Sequence, residues 1–68
     1  MSELAEAVGL KIRHQRKIFG VSQETLAHLA KVDRSYVGRV ERGEVNLTID
    51  MLYKLAQVLE CDPKGLLP

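Results

Sequence analysis

Apolar positions recur at helical spacing along nearly the whole of this 68-residue chain, and no stretch alternates as a half-buried strand would. Over Glu3 to Phe19, Leu4, Val8, Ile12 and Phe19 mark one side of a helix that Gly9 weakens and Gly20 ends. Ser22 reads as the N-cap of a short helix over Gln23 to Ala30, with Glu24 in the first turn complementing the helix dipole. Asp33 reads as the N-cap of a second short helix reaching Arg42, and Gly43 as the left-handed residue that terminates it. Leu26, Ala30, Val32, Val37 and Val40 give these two helices a common apolar seam, and Ala27 is small enough to let them approach closely. Thr48 caps a further helix to about Leu59, with Ile49, Leu52, Leu55, Ala56 and Leu59 facing inward and Asp50 in its first turn. Asp62 and Pro63 open a last short turn over Lys64 to Leu67. The pattern predicts an all-α, compact five-helix single domain over residues 1–68, without strand or repeat.

The helix from Asp33 to Arg42 has two unlike faces. At roughly 100° per residue, Arg34, Ser35, Gly38, Arg39 and Arg42 share one arc of roughly 140°, while Tyr36, Val37 and Val40 fill the other side. The first arc holds no bulky apolar residue and carries a central glycine, which costs a helix on the order of 1 kcal/mol relative to alanine. That glycine marks a place where another surface comes close. Arginine suits such a face because its planar fork matches the O6 and N7 acceptors of guanine in a major groove. A solvated cationic face has the same composition, so the helix before it matters: residues 22–42 form two short helices joined by a tight turn, the layout of a helix-turn-helix.

Charge sharpens this picture. The overall balance is only +1, but Lys11 to Arg42 holds eight basic and three acidic residues, a local balance of +5, and the remainder stands at −4. A basic side attracts phosphates, and an acidic opposite end limits unspecific adhesion. The length fits one small domain with a thin stability margin, which pairing with a second copy would widen, and leaves no room for a deep catalytic cleft. Cys61 is the only cysteine, so no intrachain disulfide forms, and a reducing cytoplasm is the expected setting. Glu3 and Glu6 stand where a signal peptide would be basic, and no apolar run approaches the roughly 20 residues needed to span a bilayer. His14 and His28 have no third ligand suitably spaced for zinc, Ser22 is explained by capping, and no glycine-rich phosphate loop occurs. No enzyme activity, metal or cofactor is expected.

The residues Ser22-Gln23, Leu26-Ala27, Val32, Arg34-Ser35-Tyr36-Val37, Arg39-Val40-Glu41-Arg42-Gly43 and Asn46-Leu47-Thr48 resemble the Cro and phage-repressor type of helix-turn-helix proteins, also called XRE-like regulators. The resemblance runs from about Leu10 to Leu67 and is strongest to short single-domain members such as restriction-modification controller proteins and compact repressors. It implies a lambda-repressor-like DNA-binding domain. It implies that Arg34, Ser35, Gly38 and Arg39 meet base edges, and that Ser22, Gln23, Tyr36, Arg42 and Asn46 meet phosphates, Tyr36 being equally suited to a half-buried place. It also implies an ion pair between Arg16 and Glu41 that ties the first helix to the end of the recognition helix. A homodimer is implied, with Val58, Leu59, Leu66 and Leu67 as a contact patch, although the leucines serve as well to close the core. One departure stands out: Lys31 occupies a turn position where such proteins often carry glycine, and left-handed geometry there costs on the order of 1 kcal/mol.

The expected function is a sequence-specific regulator of transcription that binds a two-half-site operator in double-stranded DNA. Two other classes share the scaffold. An antitoxin-like or anti-regulator module would use an apolar surface to hold a protein partner, and a general nucleic-acid binder would use the basic face without reading sequence.

Overall fold

The structure, a computed structural model, describes residues 2–68. Four α-helices, α1 (Glu3–Phe19), α2 (Gln23–Ala30), α3 (Arg34–Glu41) and α4 (Ile49–Val58), are followed by a 3-10 turn, Pro63–Leu66. The fifth expected helix is therefore a single 3-10 turn. Asp62 starts it by accepting from the Lys64 N–H at 2.9 Å, and Leu67 already returns to extended backbone.

Side-chain oxygens of Ser2, Ser22 and Thr48 cap α1, α2 and α4, each accepting from the N–H three residues on at 3.0–3.1 Å. Asp33 has the extended backbone of an N-cap, yet its carboxylate makes no capping bond and stays in solvent. All four helices end the same way. A left-handed residue lets the next N–H reach back five positions, as in Val21 to Arg16 O at 3.3 Å and, at 2.9 Å each, Val32 to Ala27, Glu44 to Arg39 and Cys61 to Ala56. The left-handed residues are Gly20, Lys31, Gly43 and Glu60.

Helices α2 and α3 pack on each other, α1 lies across α3, and α4 rests on α2 while the 3-10 turn closes against α1 and α4. Ile12, Leu26, Val37, Leu55 and Leu66 are the largest side chains that are fully enclosed. Leu59 and Leu66, expected at a dimer contact, thus belong to the core of one chain; Leu66 is 0% exposed because the 3-10 turn directs it inward. Leu4 and Ile49 depart from expectation in the opposite sense, at 61% and 74% exposed. Both stand in the first turn of their helices and rim a shared surface concavity instead of entering the core.

The α1–α3 crossing depends on missing side chains. A β-carbon at Gly9 would meet the carbonyl oxygens of Val40 and Glu41, the latter at 2.7 Å. One at Gly43 would stand 2.7 Å from the Cα of Glu6. Gly9 weakens α1 as an isolated helix but allows it to lie directly on the last turn of α3.

Lys31 sits at φ 60° with exposed surroundings. Lys31→Gly should raise the unfolding free energy by about 0.5–1 kcal/mol in urea titration, because glycine adopts this geometry without β-carbon strain but adds freedom to the unfolded chain.

Candidate nucleic-acid interface

The orientation of α3 is set from beneath by a buried ion pair. Arg16 on α1 donates from Nε to Glu41 Oε2 at 2.6 Å and from Nη2 to Glu41 Oε1 at 3.1 Å. Its third nitrogen, Nη1, donates to the carbonyl of Val21 at 3.0 Å, and Gln23 Nε2 donates to Glu41 Oε1 at 3.0 Å. Four contacts therefore join the end of α1, the lead into α2, the first residue of α2 and the end of α3. Both charged residues are buried, and no buried side-chain polar atom among the described residues lacks a partner. A planar, two-pronged match of this kind restricts rotation as well as separation.

Above that tie, Gln23, Arg34, Ser35, Gly38, Arg39 and Arg42 line one shallow concavity across α2 and α3. Arg34, Ser35 and Arg39 are exposed there, on the face that the helical wheel assigns to them. Gly38 is buried: the Arg42 guanidinium lies across it, with Nη1 3.1 Å from the place a β-carbon would take. The backbone that the glycine was expected to present to a base is covered by this guanidinium in the structure. Tyr36 is half-buried against the core. Ser22 caps α2 at the edge of a second concavity shared with Arg16, Gln23, Glu24 and Arg34. Asn46 is exposed in the loop after α3, at the rim of the apolar concavity and outside the cluster around Gly38.

Two carboxylates accompany these cations. Glu24 stands 4.0 Å from Arg34 with both side chains largely in water, a contact worth little. Glu44 is closer, accepting from Arg42 Nε at 2.8 Å. This hydrogen bond holds the Glu44 carboxyl below its usual range, aided by the charges of Arg42 and Arg39, and raises the Arg42 guanidinium above its own. The pair is present above the ordinary carboxylate range and is lost as the pH falls through the lowered value. Sequence reasoning overlooked both the Glu44 contact and the Gln23 amide bond to Glu41. An acidic residue two positions beyond a helix-terminal arginine is the signal for the first; nothing in the sequence marks the second.

Other chemistry is sparse. Burial, then the Asp62 charge, push the Cys61 thiol above its ordinary range, which disfavours the thiolate form. Among the described residues no group of three or more His, Cys, Asp or Glu is placed to hold a metal, and no helix is long and apolar enough to cross a membrane.

Comparison with known proteins agrees with this geometry. Residues 12–66 match the family model HTH_3, described as helix-turn-helix. The chain is 37% identical to control protein C.SmaI of Serratia marcescens, covering 96% of this chain and 77% of that protein. It is also 37% identical to control protein C.BamHI of Bacillus amyloliquefaciens, with coverage of 87% and 74%. The crystal structure of the restriction-modification controller protein C.AhdI from Aeromonas hydrophila superposes with a TM-score of 0.87 at 45% identity, covering 91% of this chain and 90% of that one.

Removing one partner of the buried pair leaves the other uncompensated. Glu41→Gln should lower the unfolding free energy by on the order of 3 kcal/mol, comparable with the whole margin of roughly 3–5 kcal/mol that a core of this size supplies. The expected result in circular dichroism is a markedly lowered thermal midpoint, with a substantial unfolded fraction where the margin is smallest.

Proposed function

The chain belongs to the HTH_3 helix-turn-helix family of transcriptional regulators, and from that membership we propose that it binds a two-half-site operator as a homodimer and reads its sequence with α3. The observation that carries the reading is the exposed face of α3, where Arg34, Ser35 and Arg39 project together beside the N-terminus of α2 while the opposite side of the same helix is locked into the core. In this arrangement Arg34 and Arg39 meet base edges and Ser35 meets a base edge or phosphate. Ser22, Gln23 and the exposed Asn46 hold the backbone, with Tyr36 at the margin of that contact. Bound dimer acts by occupying the operator, either excluding polymerase or recruiting it.

A second copy is the occupant that best suits the apolar concavity on another side of the molecule. Leu4, Ile49 and Leu67 rim a space of about 330 Å³ floored by Val45, Leu47 and Leu52, and among the described residues no charged side chain lines it, in a chain of which 28% is charged. A two-fold contact sets each patch against its own image, so a neutral patch avoids the self-repulsion that a charged one would meet. Protruding Ile49 beside a hollow on the same face provides knob and hole for such symmetry. With extents of 26 × 24 × 20 Å, two copies abutting side by side can present their α3 helices to half-sites about 34 Å apart. Of the residues expected at the contact, Leu67 is on this face and Val58 is half-buried, while Leu59 and Leu66 are occupied within the core.

Arg39→Ala should weaken binding to the preferred duplex by about 1–3 kcal/mol and relax preference at one position per half-site. An equal loss on every duplex would contradict base reading by Arg39. Ile49→Glu should leave the fold intact, since the side chain is already in water, but shift the protein to monomer in sedimentation and weaken two-half-site duplexes at least about tenfold, equivalent to 1.4 kcal/mol. A dimer that persists unchanged would remove this face from the account.

A further inference from the structure

Arg42 is the C-cap that follows α3 and still has right-handed backbone, φ −86° and ψ 0°. Helical side chains lean toward the N-terminus of their helix, over the residue four positions earlier. For Arg42 that residue is Gly38, and the guanidinium does lie across it. The cation therefore sits at the middle of the α3 face among Ser35, Arg39 and Gln23, rather than past the helix end where a phosphate contact was expected.

Gly38, Glu44 and the backbone behind Glu44 hold it there. Gly38 provides the seat: its missing side chain leaves the room the guanidinium takes, which accounts for one of the poorest helix formers in mid-helix. Glu44 provides the clasp, accepting from Nε at 2.8 Å, while neither terminal nitrogen of the fork makes a hydrogen bond to the described residues. The clasp is itself anchored, because the Glu44 N–H bonds to the Arg39 carbonyl at 2.9 Å behind left-handed Gly43. An exposed pair of this sort adds little to stability, and a carboxylate beside a phosphate-binding face weakens general adhesion to DNA. Geometry, rather than stability or attraction, accounts for its place.

We propose that Arg42 is a base-reading residue, seated on Gly38 and aimed by Glu44, so that the two unbonded terminal nitrogens of its fork are available to acceptors on a base edge in the major groove. The inference rests on the proposed reading of α3 and adds a specificity-determining contact to it. Arg42 is the group that touches DNA; Glu44 is a positioning residue. Guanine, with O6 and N7 side by side, is the partner that a two-pronged donor fits.

The experiment compares Arg42→Ala, Glu44→Gln and Gly38→Ala with the unsubstituted chain, measuring binding to the preferred duplex and to each single-base variant at two or more salt concentrations. Arg42→Ala is expected to cost about tenfold or more on the preferred duplex and to level the preference at one base pair in each half-site, different from the pair that depends on Arg39. Glu44→Gln and Gly38→Ala are expected to level the same pair, the first by releasing the fork and the second by displacing it. Neither substitution disturbs a buried contact within the core, and alanine favours the helix. Uniform weakening on all duplexes by Arg42→Ala, with the salt slope reduced by about 1, would make Arg42 a phosphate contact and overturn the proposal. Uniform tightening by Glu44→Gln, without loss of preference, would show that Glu44 only screens charge and would overturn its positioning role. An unsubstituted chain without any preference would overturn both readings; a preference that survives Arg42→Ala unchanged would overturn this one alone.

Discussion

The buried pair of Arg16 and Glu41 is the constraint on which the remaining geometry depends. Two charges removed from water recover their hydration only through close and complete bonding, and here every guanidinium nitrogen and both carboxylate oxygens have partners. The partners belong to three different elements. Satisfying the pair therefore fixes where α1 ends, where α2 begins and how α3 is rotated. The same rotation decides which residues of α3 face outward. Had α3 turned by one position, Val37 or Val40 would meet water and Arg39 would meet the core. The pair thus acts more as a specifier of one arrangement than as a source of net stability.

Close approach of backbones supports the same arrangement. Gly9 and Gly43 allow α1 to touch the last turn of α3, where the Glu41 carbonyl and the Glu6 backbone would collide with any β-carbon. Their cost in helix propensity is offset by the contact they permit. At the far end, the 3-10 turn delivers Leu66 into the core between α1 and α4 and leaves Leu67 outside. A domain of this size has little reserve, and the hollow rimmed by three exposed aliphatic side chains is where the proposed second copy would bury further apolar surface.

Much of this was legible in the sequence, and the reasons differ by residue. Helix limits are legible where Ser22 and Thr48 supply the caps and Gly20 and Gly43 the left-handed turns, whereas Lys31 and Glu60 adopt the same turn without the residue type that favours it. Asp33 was misjudged in its side chain, not its backbone, since sequence states only that a carboxylate is suitable, not that it bonds. Leu4 and Ile49 were assigned inward because helical phase cannot tell whether another element covers the first turn. Leu59 and Leu66 show the converse: an apolar residue near a terminus fits core or interface equally until the chain's return path is known. On the α3 face, spacing grouped Arg34, Ser35, Gly38, Arg39 and Arg42 correctly, but it could not show that one of them lies on another. That fact belongs to the length of the arginine stem and to the Glu44 carboxylate, which a wheel does not depict.

The central claim is that a rigidly held α3 reads the sequence of a two-part site. The most direct measurement is selection by the folded chain from a randomised duplex library at physiological salt, followed by sequencing of the bound fraction. The account predicts enrichment of an inverted repeat whose half-site centres lie about one helical turn, roughly 34 Å, apart. Folded protein that binds duplex DNA and enriches no sequence would contradict it.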